Sequence, residues 1–222
     1  MKQVTTIFAI LVGFTMSAQL SSVTENSKTG QRLTGSIAAN HGDIGSNAVD
    51  LSYSNSVSTT RGATGSYSTA MGRNITASGL YSTAMGYGTT ASGNFSTAMG
   101  QNTTASDWYS TAMGISTTAS GLYSTAMGIG TTASANYSTA MGSYTTASGS
   151  YSTAMGSFTT ASDYASLSIG RYNSVNSAVT AGGSAASFDT DNAALVIGNG
   201  TGTLSDAFVV YFNGNATLSG DL

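Results

Sequence analysis

Few side chains in this chain have the types and spacing that catalysis requires. A nucleophile needs a neighbouring base, and general acid–base chemistry needs two groups held close together. The single histidine, His41, lies in the stretch NHGDIG, in a segment that we predict to be irregular. Of the acidic residues, only Asp107 and Asp163 fall within the strong repeats described below, and both stand at corner positions where Asp suits a turn. We therefore expect no catalytic residues and no enzymatic activity.

Two further segments resemble binding motifs without completing them. Asp189–Asn192 (DTDN) begins like a calcium loop, but the alanines that follow stand where the loop needs Gly, and no Glu closes it. Gly198–Gly202 (GNGTG) lacks the glycine spacing of a dinucleotide site and is expected to form a turn between strands. The sequence therefore predicts no metal site and no cofactor.

The composition excludes several classes of protein. Only 7% of the 222 residues are charged, against about 25% in an ordinary globular protein. Hydrophobic residues make up 40%, which is more than a disordered chain usually carries. The net charge of −3 is too small to attract a polyionic partner, and no basic patch indicates nucleic-acid binding. Because the chain has no Cys, its stability cannot come from disulfides.

The N-terminus has the order of features found in a secretory signal peptide. Lys2 precedes an apolar run over Ile7–Phe14, and Ser17–Ala18 offers small residues for cleavage. The run is too short to span a membrane, which takes about 20 residues. A buried N-terminal strand is the alternative interpretation. We predict that residues 1–18 are a signal peptide, that the mature chain is exported, and that residues 19–46 are irregular.

The dominant feature of the sequence is the phrase YSTAMG, which first appears at Tyr67 and returns every fourteen residues. A second phrase, TTASG, alternates with it, so that STAMG and TTASG align at a shift of seven. Such a period is interpreted before any other feature, since it determines the architecture. Strong repeats cover residues 67–165, within a repeated region over residues 47–183. One column of the repeat consists of Met71, Met85, Met99, Met113, Met127, Met141 and Met155.

The period indicates a β-solenoid with one coil per fourteen residues and two short strands per coil. Thr, Tyr and Ile favour strands, whereas Gly marks the corners between them. Helical apolar spacing is missing, and the many Gly and β-branched residues would weaken a helix. The period is also much shorter than that of helical repeats or propeller blades. The predicted fold class is therefore all-β, a parallel β-roll followed by a short β-meander over residues 184–222.

Alternation along each strand predicts which side chains fill the coil. Ser68 and Ala70 share one face of the first strand, while Tyr67 and Met71 share the other. A coil of fourteen residues with two corners is flat and has room for small side chains only. We therefore place the alanines inside and the methionines outside. The predicted interior alanines are Ala70, Ala77, Ala84, Ala91, Ala98 and Ala105.

The outward methionines predict association between chains. Stacked strands lie about 4.8 Å apart, so the Met and aromatic columns form an apolar stripe roughly 30 Å long. Exposed stripes of this size mark interfaces, and burying the methionines of one chain would contribute on the order of 10–20 kcal/mol before entropy is counted. The alternative is a monomer with Met inside a roomier coil. The predicted interface consists of the seven methionines named above with Tyr67, Tyr81, Tyr109 and Tyr123.

One repeat, Ser82–Gly93, reads STAMGYGTTASG. It closely resembles the head repeat of YadA-like trimeric autotransporter adhesins, whose motif is S-x-A-x-G-x-x-[ST]-x-A-x-G. The resemblance implies a left-handed parallel β-roll in which three chains pack about a threefold axis as a homotrimer. It also implies a protein that is secreted or on the cell surface, associated with the outer membrane, of a Gram-negative bacterium.

The C-terminal segment departs from that family. A membrane-anchored member continues into a coiled-coil stalk and transmembrane strands, whereas no heptads follow Gly183. Three short strands are predicted at Ala194–Ile197, Ala207–Phe212 and Ala216–Leu218. The segment is similar to those that precede endosialidase-type chaperone domains in tail-fibre-like proteins. Truncation of the chain or the use of another anchor would account for the missing chaperone.

Three functions remain open from the sequence. Adhesion to a matrix protein, a glycan or a neighbouring cell would use many weak contacts, and avidity raises overall binding about 10²–10⁴-fold. A structural shaft or spacer of a tail-fibre-like protein is the main alternative. Ice binding by the regular Thr columns is a minor one, because coils about 4.8 Å apart form a lattice. The corner positions 73–74, 87–88 and 101–102 vary most, and variable corners on a constant scaffold suit ligand contacts.

Overall fold

The computed structural model describes residues 20–174 and 178–219, and two sheets run along the molecule, one of 14 strands and one of 8. Each fourteen-residue repeat supplies one five-residue strand to the larger sheet and one two-residue strand to the smaller sheet, and so forms one coil. The predicted signal peptide lies outside the described residues and stays a prediction. Within the described residues, no helix is long and apolar enough to cross a membrane.

The strands follow one another in a regular order. The chain begins with β1 (Leu20–Glu25), β2 (Lys28–Leu33) and a 3-10 turn over Ala38–Asn40. The larger sheet then receives β3 (Val49–Tyr53), β5 (Thr69–Arg73), β7 (Thr83–Tyr87), β9 (Thr97–Gln101), β11 (Thr111–Ile115), β13 (Thr125–Ile129), β15 (Thr139–Ser143), β17 (Thr153–Ser157) and β19 (Leu167–Arg171). The smaller sheet receives β4 (Gly62–Ala63), β6 (Thr76–Ala77), β8 (Thr90–Ala91), β10 (Thr104–Ala105), β12 (Thr118–Ala119), β14 (Thr132–Ala133), β16 (Thr146–Ala147) and β18 (Thr160–Ala161). The last strands of the larger sheet are β20 (Ala193–Asn199), β21 (Asp206–Tyr211) and β22 (Ala216–Leu218).

Neighbouring coils pair in parallel, with identical residues opposite each other. Met113, for example, lies between Met99 and Met127 in the larger sheet. A slip of one residue would exchange the inner and outer faces of every strand, so the alternation of small and large side chains fixes the register. The structure confirms the predicted all-β parallel solenoid. The left-handed sense implied by the resemblance stays a prediction.

Small side chains fill the interior of each coil. The alanines of both repeated phrases are fully buried, among them all six that the sequence analysis places inside. Ser82 is also buried and donates its hydroxyl to the carbonyl of Gly79 at 2.8 Å, a bond that recurs in several coils. A third buried column begins with Ile75. Its next members are Thr89, Thr103, Thr117, Thr131, Thr145 and Thr159.

Each coil turns at two corners that lie seven residues apart. Tyr67 occupies one corner with a φ of 57°, and Asn74 occupies the other with a φ of 55°. Positive φ is uncommon outside Gly, and it rules out a strand conformation at these residues. The expectation that Tyr67 shares a strand face with Met71 is therefore wrong, because the tyrosine forms the corner and the strand begins at Thr69.

Close stacking of the coils requires Gly directly after Met. Gly114 has a φ of 125°, and a Cβ at this position would overlap the carbonyl oxygen of Gly128 in the next coil. The same contact recurs along the Met-Gly column. The Gly therefore allows the approach between coils as well as the backbone angle.

Charged side chains close the N-terminal end of the solenoid. Arg32 lies opposite Asp50, and Asp50 lies opposite Ala70, so the two charged residues continue an interior alanine column and are themselves buried. The prediction that residues 19–46 are irregular is wrong for residues 20–33. They contain the β1–β2 hairpin, and β2 pairs in parallel with β3.

At the C-terminal end, a side-chain amide closes the smaller sheet. Asn173 continues the buried Thr column, and its side chain accepts from the N–H of Thr160 at 2.7 Å and donates to the carbonyl of Thr160 at 2.8 Å. The amide thus gives Thr160 of β18 the hydrogen bonds that a strand of a further coil would give. In the larger sheet, β20 pairs in parallel with β19, so the sheet continues past residue 183. Strands β20, β21 and β22 form an antiparallel meander close to the predicted strand positions.

Candidate binding surfaces

The Met column lies on the outside of the larger sheet. Each methionine follows a fully buried alanine, so the alternation of a strand turns the methionine outward. Met71 and Met99 are each 38% exposed, and the other five are half-buried by their neighbours in the column. Thr111 and its equivalents flank the methionines on the same face. A single chain therefore presents a continuous column of thioethers at its surface.

Seven aromatic residues form a ladder along one corner of the coils. Neighbouring rings stack with centroids 4.6–5.2 Å apart, and such pairs contribute about 0.5–1.5 kcal/mol beyond their burial. Each inner ring is stacked against a neighbouring ring on both of its faces. The ladder therefore presents mainly ring edges and tyrosine hydroxyls to the outside. The members of the ladder are Tyr67, Tyr81, Phe95, Tyr109, Tyr123, Tyr137 and Tyr151, all of them exposed.

The other corner carries a second, shorter ladder. Tyr144, Phe158 and Tyr172 stack with centroids 4.9 and 4.6 Å apart. Sequence reasoning identified this corner as variable but missed the ladder, although its members recur every fourteen residues. In earlier coils the same corner carries Arg73 and Tyr87, with the guanidinium 5.7 Å from the ring centroid. The exposed chemistry of this corner thus changes from coil to coil on a constant backbone.

The outer face of the smaller sheet is polar. Thr76 and its equivalents are half-buried, and the serines that follow two residues later, such as Ser78 and Ser92, are exposed. The two-residue strands of this sheet carry Thr outside and Ala inside, without an outward Met or aromatic residue. The two sheets therefore present chemically different outer faces.

His41 belongs to a buried network at the N-terminal end. Its Nδ1 lies 3.0 Å from Oδ2 of Asp50, and Ser52 donates its hydroxyl and its N–H to the other oxygen of the same carboxylate. Arg32 lies between Asp50 and Glu25, 3.4 Å from the first and 2.8 Å from the second. Since serine and histidine both bind the carboxylate instead of each other, the arrangement does not activate a nucleophile. It joins the hairpin to the first coil.

Hydrogen bonds within this network hold the pKa of both carboxyl groups below their usual values, against the effect of burial. Burial raises the pKa of Asp50, but hydrogen bonds from His41 and Ser52 outweigh it and hold the pKa below its usual value. For Glu25, desolvation is likewise outweighed by the bonds from Arg32 and from the N–H of Ile44, and the pKa is lowered. The ionised form of each carboxyl group therefore binds its partners in the network more strongly than the protonated form does.

The two aspartates within the repeats have different surroundings. Asp107 accepts a hydrogen bond from the N–H of Trp108 at 2.7 Å, as an Asp in a turn does. Asp163 is fully buried, and its carboxylate accepts from the N–H and hydroxyl of Thr180 and from the N–H of Ala193. Asp163 thus ties the chain around residues 180–193 to the last coil. Sequence reasoning assigned it to a turn alone and missed this anchor.

Two side chains of the calcium-like segment, those of Asp189 and Asn192, form hydrogen bonds within the protein. Asp189 accepts from the N–H of Asp191 at 3.0 Å. Asn192 is buried, and its amide accepts from the N–H of Ser184 at 2.6 Å and donates to the carbonyl of Ser184 at 3.0 Å. Over residues 20–174 and 178–219, no three His, Cys, Asp or Glu side chains lie together as a metal site would need.

The coils match a known family of repeats. Residues 63–89, 77–103, 91–117, 105–130, 119–145 and 147–173 each match the YadA head domain repeat, taken two copies at a time. No curated protein matches the chain. The similarity of residues 184–222 to segments that precede a chaperone domain stays a prediction. YadA head repeats indicate an adhesin-type domain, and the repeated part of this chain is a YadA-like head built as a parallel β-solenoid.

Proposed function

We propose that this chain forms the head of a homotrimeric, non-enzymatic adhesin that is secreted or held at the cell surface. The observation that carries the proposal is the YadA-like head repeat, which runs through residues 63–173 almost without interruption. The targets that fit are a matrix protein, a glycan or the surface of a neighbouring cell. Because so few residues are charged, binding to such a target should depend only weakly on salt.

The Met column supports the trimer. Seven methionines stand in register on one outer face, while the opposite outer face carries Thr and Ser. Each Met side chain contributes about 1.5–3 kcal/mol when it leaves water, so an interface through this column is favoured over one through the polar sheet. The exposed aromatic ladder, including Tyr67, Tyr81, Tyr109 and Tyr123, is proposed to lie at the edge of the same interface.

A pair of variants tests the trimer and the face that forms it. Met113→Asp places a carboxylate in the centre of the Met column, where three copies would lose water and repel one another. Ser120→Asp places the same charge on the outer side of the smaller sheet. Sedimentation of residues 19–222 should show a trimer for the wild type and for Ser120→Asp, and dissociation for Met113→Asp. A stable wild-type monomer at micromolar concentration would refute the trimer, and the reverse ranking of the variants would make the polar sheet the interface.

Binding of the trimer to arrays of matrix proteins and glycans tests adhesion. We expect at least one target to be retained at 0.15 M and 0.5 M salt alike, conditions between which binding through charges would fade. The outward polar columns and the variable corner repeat along the head, and a trimer holds three sets of them. A monomeric variant has one set, so it should gain less from avidity and bind much more weakly. A blank array for material shown to be trimeric would contradict adhesion and favour a structural shaft.

A further inference from the structure

A groove of about 600 Å³ lies where the chain leaves the fourteen-residue period. One wall comes from the segment before β20 and contributes Thr180 and Asp191. The other wall comes from the β21–β22 hairpin and contributes Tyr211, Asn213 and Thr217, together with neighbouring small residues. Ligand sites usually fall between about 300 and 1,000 Å³, so the groove has the size of a small-molecule site. None of the surfaces described above includes it.

Hydrogen bonds hold the walls of the groove in place. The N–H of Asn213 donates to the carbonyl of Thr190 at 2.8 Å, and the N–H of Phe212 donates to the carbonyl of Asn192 at 3.1 Å. Behind them, the buried carboxylate of Asp163 accepts from the N–H of Thr180 at 2.7 Å. A site whose walls are fixed before binding loses less entropy when a ligand enters.

The side chains of the groove offer a mixture of donors and acceptors. Among the described residues, the carboxylate of Asp191 and the hydroxyl of Tyr211 have no hydrogen-bond partner, although both border the groove. Asn213 uses its carbonyl oxygen to accept from the N–H of Asn215 at 2.9 Å, which leaves its NH₂ available. A carboxylate accepts, an amide NH₂ donates, and a hydroxyl does both. Tyr211 adds an aromatic ring that packs against the small core of β20 and β21.

The charge of the groove restricts the ligand. Residues 178–219 contain no Lys or Arg, so the groove has one carboxylate and no cation to receive an anion. A ligand with many hydroxyl groups matches alternating donors and acceptors better than an apolar or an anionic one does. We propose that this groove binds a neutral saccharide, with Asp191 and Asn213 hydrogen-bonding adjacent hydroxyls and Tyr211 supporting the sugar ring. The proposal extends the adhesin function, because it names a glycan as one class of target and gives it a site outside the coils.

Saturation-transfer NMR on residues 19–222 tests the site directly. The probes are glucose, galactose and N-acetylglucosamine, with sialic acid as the anionic control and choline as the cationic control. We expect transfer to at least one neutral sugar and none to either control. Asp191→Ala should weaken binding of that sugar about tenfold, as the loss of one hydrogen bond to a charged group does, and Asn213→Ala should weaken it severalfold. Thr201→Ala, an exposed residue in the turn between β20 and β21 but not in the groove, should leave binding unchanged.

The outcomes separate this inference from the proposed adhesion. Equal melting temperatures for Asp191→Ala and the wild type are expected, since Asp191 is exposed, and they show that the variant is folded. Sugar binding that survives both groove variants, or transfer only to sialic acid or choline, would overturn the saccharide site. Absence of transfer to every neutral sugar would overturn it as well, while adhesion to a matrix protein on the array would still support the adhesin. Loss of both sugar binding and glycan-array binding in Asp191→Ala would support both.

Discussion

The hydroxyl of Thr117 gives a test of how the interior of the coil is stabilised. Thr117 is fully buried, and within the described residues its Oγ1 has no hydrogen-bond partner, in common with the other five threonines of its column. A hydroxyl buried without a partner costs about 1–3 kcal/mol relative to water. Valine replaces the hydroxyl with a methyl group and keeps the branched shape. Ile75 shows that the same interior position accepts a larger β-branched side chain that is wholly apolar.

Thr117→Val should therefore stabilise the protein. A gain of about 2 kcal/mol is expected from removing the unpartnered hydroxyl. In a chain of this length, each kcal/mol raises the melting temperature by about 2–4 °C, so thermal unfolding should shift upward by about 4–8 °C. Circular dichroism of the wild type and the variant, at equal protein concentration, measures the shift. Equal concentration matters because association also changes the apparent stability.

Two neighbouring substitutions serve as controls, one expected to leave stability almost unchanged and one expected to lower it. Thr118→Val changes an outward, half-buried threonine and should alter stability by less than about 0.5 kcal/mol. Ser110→Ala removes a buried hydroxyl that donates to the carbonyl of Asp107 at 2.6 Å, so it should destabilise by about 1 kcal/mol. A lower melting temperature for Thr117→Val would refute the reasoning, because it would mean that the interior hydroxyl is partnered in the folded protein.

Three further changes probe the stacking and the two ends of the solenoid. Gly114→Ala should prevent native stacking, which circular dichroism would show as loss of the folded signal. Gly202 has a similar φ of 128° but open space around it, so Gly202→Ala should reduce stability only by the roughly 1–3 kcal/mol of backbone strain. The stabilisation from Glu25 and Asp50 should be complete above their usual carboxyl pKa near 4 and should disappear as pH falls below their lowered folded-state pKa. The protection of β1 and β2 against hydrogen exchange, taken relative to the intrinsic exchange rate at each pH, should fall over that range, and protection that stays constant would contradict the prediction. Asn173→Ala should leave the backbone of Thr160 unpaired and increase exchange in β18, while an unchanged rate would show that the amide does not complete the sheet.

The fold of the coils is predictable because each coil stacks on a copy of itself. Once the period is known, parallel pairing places Met113 beside Met99 and Met127, and alternation then determines that Ala112 points inward. The corner was harder to predict. Tyr favours strands, so the sequence predicts Tyr67 on a strand face, whereas its φ of 57° places it in a turn. A single sequence gives little indication that an aromatic residue adopts the left-handed conformation.

The ends of the solenoid could not be derived from the period, since they lie outside it. Asn26 and Ser27 both have positive φ and join β1 to β2. Asn-Ser lacks the Gly that marks a two-residue hairpin turn in a sequence, so the hairpin had little signal. The burial of Arg32 and Asp50 had no such signal. Charged residues are usually exposed, and their pairing depends on the hairpin returning to the first coil.

The contrast between the coils and the ends bears on where recognition occurs. A stacked coil keeps its interior and its Gly contacts identical from repeat to repeat, because a change at Ala112 or Gly114 affects the coils on both sides. Specific chemistry is free to vary at the corners and at the strand ends beside them, where Arg73 is followed in later coils by Tyr87 and Ile115, and in the segments that leave the period. The corners repeat, so they suit many weak contacts and gain from avidity, whereas the C-terminal groove lies outside the repeats and suits a defined ligand. Three copies in the proposed trimer would present three such grooves at one end of a head whose length is set by the number of coils.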